Sequence, residues 1–354
     1  MAIVYAGTYT ERLDHVNGRG KGIYVYALEE GQLHPLGVVR SLSNPSFLTV
    51  DAAAHRLYAV SEVMAFEGEA HGALQAFAID PDSHFPEALN HQAIPGPAPC
   101  YVSLLHGHAL VANYMGGSVT VVALQRDGSL GPVTAHVEHS GSGPNAARQE
   151  APHPHAIVPD PGGKYLLVPD LGVDKVVVYA FDSRTGMLTP SGTPARVQPG
   201  AGPRHLAFDA PRSRAYLMNE LDSTITAFAF EAGRLCAMQT LSALPEEYEG
   251  PRSGADIHVH ISGRFLYASL RGPGSIVRLL INAETGHLTE PAWVSTHGLT
   301  PRNFAMDASG NWLIAANQDS DSLVVYRIDA ATGLLSKPVQ MMPIPSPACV
   351  RIVD

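Results

Sequence analysis

Apolar and polar residues alternate along most of this chain in short runs, and Gly, Pro, Asp and Asn cut the runs apart. The stretch "GPRHLAFD" (202–209) is typical: a Gly-Pro turn, then Leu206 and Phe208 on alternate positions. A period of two predicts β-strands with one packed face. A TIM barrel or a doubly wound sheet would need amphipathic helices of ten or more residues between strands, and no such helical period is found. The pattern is all-β.

The strand pattern also repeats. "PRHLAFDAPRSRAYLMNELDSTITAFAFEAGRL" (203–235) can be laid over "PRNFAMDASGNWLIAANQDSDSLVVYRIDAATGLL" (301–335) and over "PHAIVPDPGGKYLLVPDLGVDKVVVYAFDSRTGML" (154–188). The shared scheme is Pro, an apolar alternation, Asp, a second strand ending in a polar pair, a third strand, and a "D-x-x-T-G-x-L" turn. Weaker copies begin near Pro45, Pro99 and Ala255, so successive units start 46 to 55 residues apart. Several short strands per unit at this period mark β-propeller blades. Six units are complete. "PACVRIVD" (347–354) has the form of a first strand and stops; "AIVYAGTYT" (2–10) has the form of a second strand with no first before it. Joining them in one sheet removes an unpaired edge. The expectation is one domain, 1–354, a seven-bladed β-propeller of four-stranded blades, its ring closed by the C-terminal strand pairing with the N-terminal ones.

Composition agrees and narrows the function. With 45% hydrophobic and 16% charged residues the core is large, and Gly (33) and Pro (28), spread evenly, suit many turns. A net charge of -10 argues against nucleic acid as a partner. No apolar run approaches the ~20 residues of a membrane span. "MAIVYAGTYT" lacks the basic and apolar regions of a secretory signal, so a cytoplasmic protein off the membrane is expected. Cys100, Cys236 and Cys349 are scattered, with no C-x-x-C pair, and read as small buried hydrophobes. Nothing in the sequence speaks to oligomeric state.

Against this acidic background, inner-strand positions carry unexpected charge. In a propeller the innermost strand of each blade lines the channel, and its start meets the end of the second strand at one mouth. Arg204 precedes Glu220 by 16 residues and Arg302 precedes Gln318 by 16; His155 precedes Asp170 by 15, and Asp256 precedes Arg271 by 15. Tyr101 with Asn113 and Tyr114, Glu62, and Thr8 with Tyr9 fall at corresponding places. Strand ends are often polar because loops are. That does not account for three arginines, two histidines and two acids recurring beside a channel, where charge must be paired or used. Convergent polar groups in a concavity are the default ligand site.

Other motifs fare worse. Strand alternation would put Asp256, His258 and His260 of "DIHVH" on one face, but no second cluster completes a metal's ligand set. "GGS" (116–118) and "GRGKG" (18–22) precede no helix and are poor phosphate loops. No G-x-S-x-G elbow is present. No metal and no cofactor are expected.

"GTYT…KGIYVYALE" (7–29), "GPRHLAFD…AYLMNELDS" (202–223), "ADIHVHISGRFLYASLRG" (255–272) and "PRNFAMDASGNWLIAANQDSDSLVVYRID" (301–329) resemble the seven-bladed lactonase family over essentially the whole chain. Its bacterial members are propeller-type 6-phosphogluconolactonases, and fungal carboxy-cis,cis-muconate cyclases are relatives. The resemblance implies a cytosolic enzyme that opens a sugar δ-lactone to the acid. Two features depart from the family: His260-Ile261 stands where a Ser/Thr-Pro-Asp-Gly turn is usual, and "EVMAFEGEAHGAL" (62–74) is an insertion-like loop able to reshape the mouth.

Lactone hydrolysis needs a base for water, a donor for the oxyanion and a means of holding the substrate. His155 is the first candidate for the base because imidazole titrates near neutrality; Glu220 is second, since Arg204 at the same mouth would lower its pKa. Arg204 and Arg271 are candidates for the oxyanion or a substrate carboxyl, and Arg302 with either could clamp a phosphate. Gln318, Asn317, Asp170, Asp256 and His258 complete the expected substrate-binding set. His205 ranks low in it, because alternation after Arg204 turns it toward a neighbouring blade. The expected partner is an anionic sugar lactone. A carboxymuconate-type cycloisomerase using the same arginines, or a non-catalytic binding platform, are the alternatives.

Overall fold

The computed structural model describes residues 1–353. The repeated strand pattern folds into seven antiparallel sheets, each a blade. From the channel outward, blade one is Pro347–Val353, Ala2–Thr8, Ile23–Glu29 and Gln32–Val39. Blade five is Pro203–Asp209, Arg214–Asn219, Thr224–Glu231 and Arg234–Ser242. The innermost strands of the other blades are Leu48–Asp51, Pro99–Leu105, Val158–Pro159, Gly254–Val259 and Pro301–Met306. Blade four alone splits its outer strand, into Leu188–Pro190 and Ala195–Arg196. Two short 3-10 turns, Leu171–Val173 and Ala210–Arg212, are the helical segments among the described residues, and no helix is long and apolar enough to cross a membrane.

The closure is the expected one. Pro347–Val353 pairs antiparallel with Ala2–Thr8, Ile3 opposite Val353, so the two ends of the chain share one sheet. Each innermost strand packs beside the next around the ring, blade four reaching blade five through its second strand, Tyr165–Asp170.

The apolar side of the alternation packs between blades. One buried cluster joins blades five and six through Tyr216, Met218, Ile257 and Leu266. Another joins six and seven through Phe265, Tyr267, Phe304 and Tyr326. Second-strand tyrosines stitch blades two, five and six to the blades that follow: the hydroxyls of Tyr58, Tyr216 and Tyr267 donate to the carbonyls of Gly128, Gly286 and Gly333. Gly286 and Gly333 are the glycines of the "T-G" turns. Both have positive φ, and a Cβ on Gly333 would press into the Phe265 ring at 2.6 Å, so the turn motif is also a blade-to-blade contact.

Candidate active site

The charged side chains reach the channel because the innermost strands bulge where they begin. In blade five Pro203 pairs with Asn219 and His205 with Met218, leaving Arg204 as the extra residue. In blade three the extra residue is Cys100, and in blade seven it is Arg302. In blade six two residues, Ala255 and Asp256, fall between the paired Gly254 and Ile257. A bulge re-aims side chains and breaks strict alternation. His205 therefore does not turn away from the channel as alternation predicted. It sits one layer below Arg204, and its ring meets Phe47, Tyr101 and His155 edge-on at 5.9, 5.3 and 5.3 Å.

The pair of residues ending each second strand, polar throughout except at Leu171 in blade four and Leu270 in blade six, divides its labour. Its first member lies opposite the inner strand's first residue: Asn113 faces Pro99, Asp170 faces Pro154, and Asn317 faces Pro301. These side chains serve the blade. Asn317 donates to the Thr296 carbonyl and the Ser322 hydroxyl. Asp170 accepts from the backbone N–H groups of His153 and Gly172 and bonds the His139 ring at 2.6 Å. The second member reaches the mouth: Tyr9, Glu62, Tyr114, Glu220, Arg271 and Gln318. The backbone N–H of the last three binds the carbonyl of Gly202, Ser253 and Thr300. The near-equal spacings of 15 and 16 residues thus hid a one-residue offset: Asp170 and Asn317 are wall, whereas Glu220, Arg271 and Gln318 are mouth.

Glu220, 2% exposed, is the hub. One carboxylate oxygen binds Arg204 Nε at 3.1 Å and Arg271 Nη2 at 2.7 Å; the other binds Arg148 Nη2 at 2.6 Å. Burial pushes its pKa up, but Arg271, Arg204 and Arg148 outweigh burial and hold it well below the usual carboxylate range. Arg148 was not anticipated. It comes from the long segment between blades three and four, outside the repeat, and the one signal was the length of that Gly/Pro-rich segment.

Arg302 stands over the Tyr9 ring, 5.4 Å from its centre, with no carboxylate at ion-pair distance among the described residues. Tyr9 in turn donates to Glu62, which also accepts from Ser46. Four guanidinium groups (Arg148, Arg204, Arg271, Arg302) thus meet two carboxylates (Glu220, Glu62), an excess of two positive charges. Arg271 Nε and Gln318 Oε1 are buried with no hydrogen-bond partner among the described residues. A short hairpin, Arg12–Leu13 with Val16–Asn17, leans on the rim, where His15 packs edge-on to Tyr9.

His155 lies between these groups. Its Nδ1 is 3.7 Å from the Cys100 sulfur, and its ring meets Tyr114 edge-on at 5.3 Å. Burial, then Arg204, His205 and Arg302, hold its pKa well below that of a free imidazole, so it is neutral at pH 7. Burial pushes the Cys100 thiol up, making it a poor nucleophile.

Beneath the aromatic layer the channel opens into a cavity of about 260 Å³, lined among others by His205, Asp256, His258 and Arg351. Asp256 and His258 belong to this lower layer. His258 Nε2 is 2.8 Å from Asp256 Oδ2. His260, grouped with them by alternation, sits instead in the turn after the strand, bonded to Ser262 and the Gly310 carbonyl. Among the described residues no three His, Cys, Asp or Glu side chains gather as a metal site would require.

The seven-bladed ring thus carries an arginine-rich mouth gathered around Glu220. The chain matches the family described as lactonase, 7-bladed beta-propeller, over residues 3–352, and belongs to it. It is 35% identical to a 6-phosphogluconolactonase of Bacillus subtilis over 99% of this chain and 98% of that protein. It is 32% identical to one of Formosa agariphila, over 94% of each. The structure of a periplasmic gluconolactonase of Pseudomonas aeruginosa superposes with a TM-score of 0.91 at 33% identity, covering 100% of this chain and 99% of that one.

Proposed function

We propose that this lactonase-family enzyme hydrolyses a phosphorylated sugar δ-lactone, 6-phosphogluconolactone, at the arginine-lined mouth. The observation that carries the reading is the excess of two guanidinium charges around Glu220 and Tyr9, which matches a phosphate dianion. Arg302, with no carboxylate at ion-pair distance among the described residues, takes the phosphate. Arg204 and Arg271 face the lactone carbonyl.

His155 accepts a proton from water through Nε2, its Nδ1 facing Cys100. The hydroxide oxygen bonds to the carbonyl carbon, and the resulting oxyanion is held by the arginines. Collapse breaks the bond to the ring oxygen, which leaves with the proton from His155, giving the open acid. Glu220 is the weaker base in this scheme, because three arginines hold its negative charge. The substrate also activates the base: the field of Arg204 and Arg302 is part of what depresses His155, and a bound dianion offsets it.

A base and a preorganised donor supply about 10²–10⁴ and 10²–10³ in rate. That is enough for an ester that already opens slowly in water. The reading places the protein in the cytoplasm, because a sugar phosphate dianion does not cross a membrane. An exported protein would go with an unphosphorylated lactone, as the name of the Pseudomonas relative has it.

A pH-stat assay comparing 6-phosphogluconolactone, gluconolactone and a muconolactone, with and without chelator, tests this. The expected result is a kcat/KM for the phosphorylated lactone at least tenfold above gluconolactone, unchanged by chelator. Equal rates would remove the phosphate, loss with chelator would remove the metal-free mechanism, and no hydrolysis at all would remove the reading.

A further inference from the structure

We propose that Asp256 and His205 are a positioning pair for Arg204: Asp256 selects the tautomer of His205, and His205 then accepts the hydrogen bond that fixes the guanidinium plane at the mouth. The kinetic part of this inference rests on the lactonase reading; the structural part does not.

The tautomer is determined from both sides. Arg204 Nη1 lies 3.3 Å from His205 Nε2, and a guanidinium has donors only, so Nε2 must be the acceptor. A neutral imidazole that accepts at Nε2 carries its proton on Nδ1. That nitrogen lies 2.8 Å from Asp256 Oδ1, an acceptor. The alternative tautomer would set N–H against N–H at Arg204 and a bare nitrogen against a carboxylate at Asp256. Burial and Arg204 pull the His205 pKa down to about 4, so the ring stays neutral in the range where a lactonase works.

The pair is itself anchored. Asp256 also accepts from the backbone N–H of Ile257 at 3.0 Å, from His258, and from the Asn303 side chain. Asn303 is held in turn by the backbone N–H of Val350, in the closing strand of blade one. The edge-on rings of Phe47, Tyr101 and His155 keep the His205 ring from turning. Arg204 is thereby fixed through Nε on Glu220 and Nη1 on His205, which leaves Nη2 as the edge offered to a ligand. Placement of this kind matters because a ~1 Å displacement of a catalytic group costs about 10²-fold in rate.

The test compares His205→Leu, which removes the acceptor, with His205→Gln, whose amide oxygen reaches the place of Nε2, and adds each to Arg204→Lys. His205→Leu should lower kcat about 10–100-fold with KM changed less than about threefold. His205→Gln should recover at least tenfold of that loss. In the Arg204→Lys background the two substitutions should add less than about twofold. Equal losses for Leu and Gln, or full additivity with Arg204→Lys, would overturn the positioning role. Independently of any activity, the ¹⁵N signals of the His205 ring should report the Nδ1–H tautomer in the wild type and a shift toward Nε2–H in Asp256→Asn. An Nε2–H tautomer in the wild type would overturn the proposal even if the protein opens no lactone, and an inactive wild type with the Nδ1–H tautomer would count against the lactonase reading alone.

Discussion

Asp170 of blade four and Glu220 of blade five lie one register position apart at the same end of the propeller, and both are buried. Asp170 stands opposite Pro154 and is spent on the His139 ring and the backbone of its own turn. Glu220 stands one residue further on, past the pairing, and gathers arginines from two blades and a loop. A single residue of offset along a strand end separates a carboxylate that holds the wall from one that organises the mouth. The same offset recurs between Asn317 and Gln318. The spacing of charged residues in a repeat is therefore a coarser guide to a site than the register at which they leave the sheet.

The largest effect should come from Glu220→Gln. It leaves Arg204 and Arg271 with uncompensated buried charge, and should cost about 3–5 kcal/mol of stability and on the order of 10³-fold in kcat/KM. Urea unfolding and the pH-stat assay measure both; a variant within tenfold of wild type would erase the contrast with Asp170. Arg302→Met should raise KM for 6-phosphogluconolactone about 10–100-fold while moving gluconolactone less than about threefold. Equal effects on the two lactones would take Arg302 away from the phosphate.

Asp170→Asn should destabilise by about 1–3 kcal/mol yet leave the activity of the folded protein within about threefold of wild type. A large kcat defect without loss of stability would bring Asp170 into the mouth after all. His155 and His205 sharpen the picture through pH. Their pKa values are depressed in the folded state, so the unfolded chain binds more protons below about 6.5, and stability is complete above that value. It is then lost as pH falls toward about 4, the folded value of His205. Each histidine contributes a slope of about 1.4 kcal/mol per pH unit, so His205→Gln should flatten the acid side of the stability curve by about that amount. An unchanged slope between pH 6 and 5 would mean His205 is not neutral and buried. The smallest effect should be that of Cys100→Ala, less than about threefold on kcat, since the thiol is held protonated. A hundredfold loss would point to covalent catalysis instead.

Much of the molecule was legible beforehand. The alternation, the "T-G" turns and the incomplete first and last units carry the seven blades and their closure, because strand faces and turn geometry depend on neighbouring residues. Arg204, Glu220, Arg271, Arg302 and His155 were legible as a group, because charge at innermost positions of an acidic chain demands a partner. The placement of His205 was not, since a bulge is a property of two paired strands. Nor was Arg148, whose segment lies outside the repeat and reaches Glu220 from 72 residues away in sequence.

By itself, then, the sequence determined the fold and the gathering of charged side chains at one mouth: period-two burial and desolvated charge are written in residue types. Only the tertiary structure decided which member of each strand-end pair reaches the mouth, which histidine stands beside which arginine, and that Asp256 meets Arg204 through His205. Those outcomes depend on register and on contacts between residues tens of positions apart, and hydrogen-bond geometry selects among arrangements that the local pattern leaves equivalent.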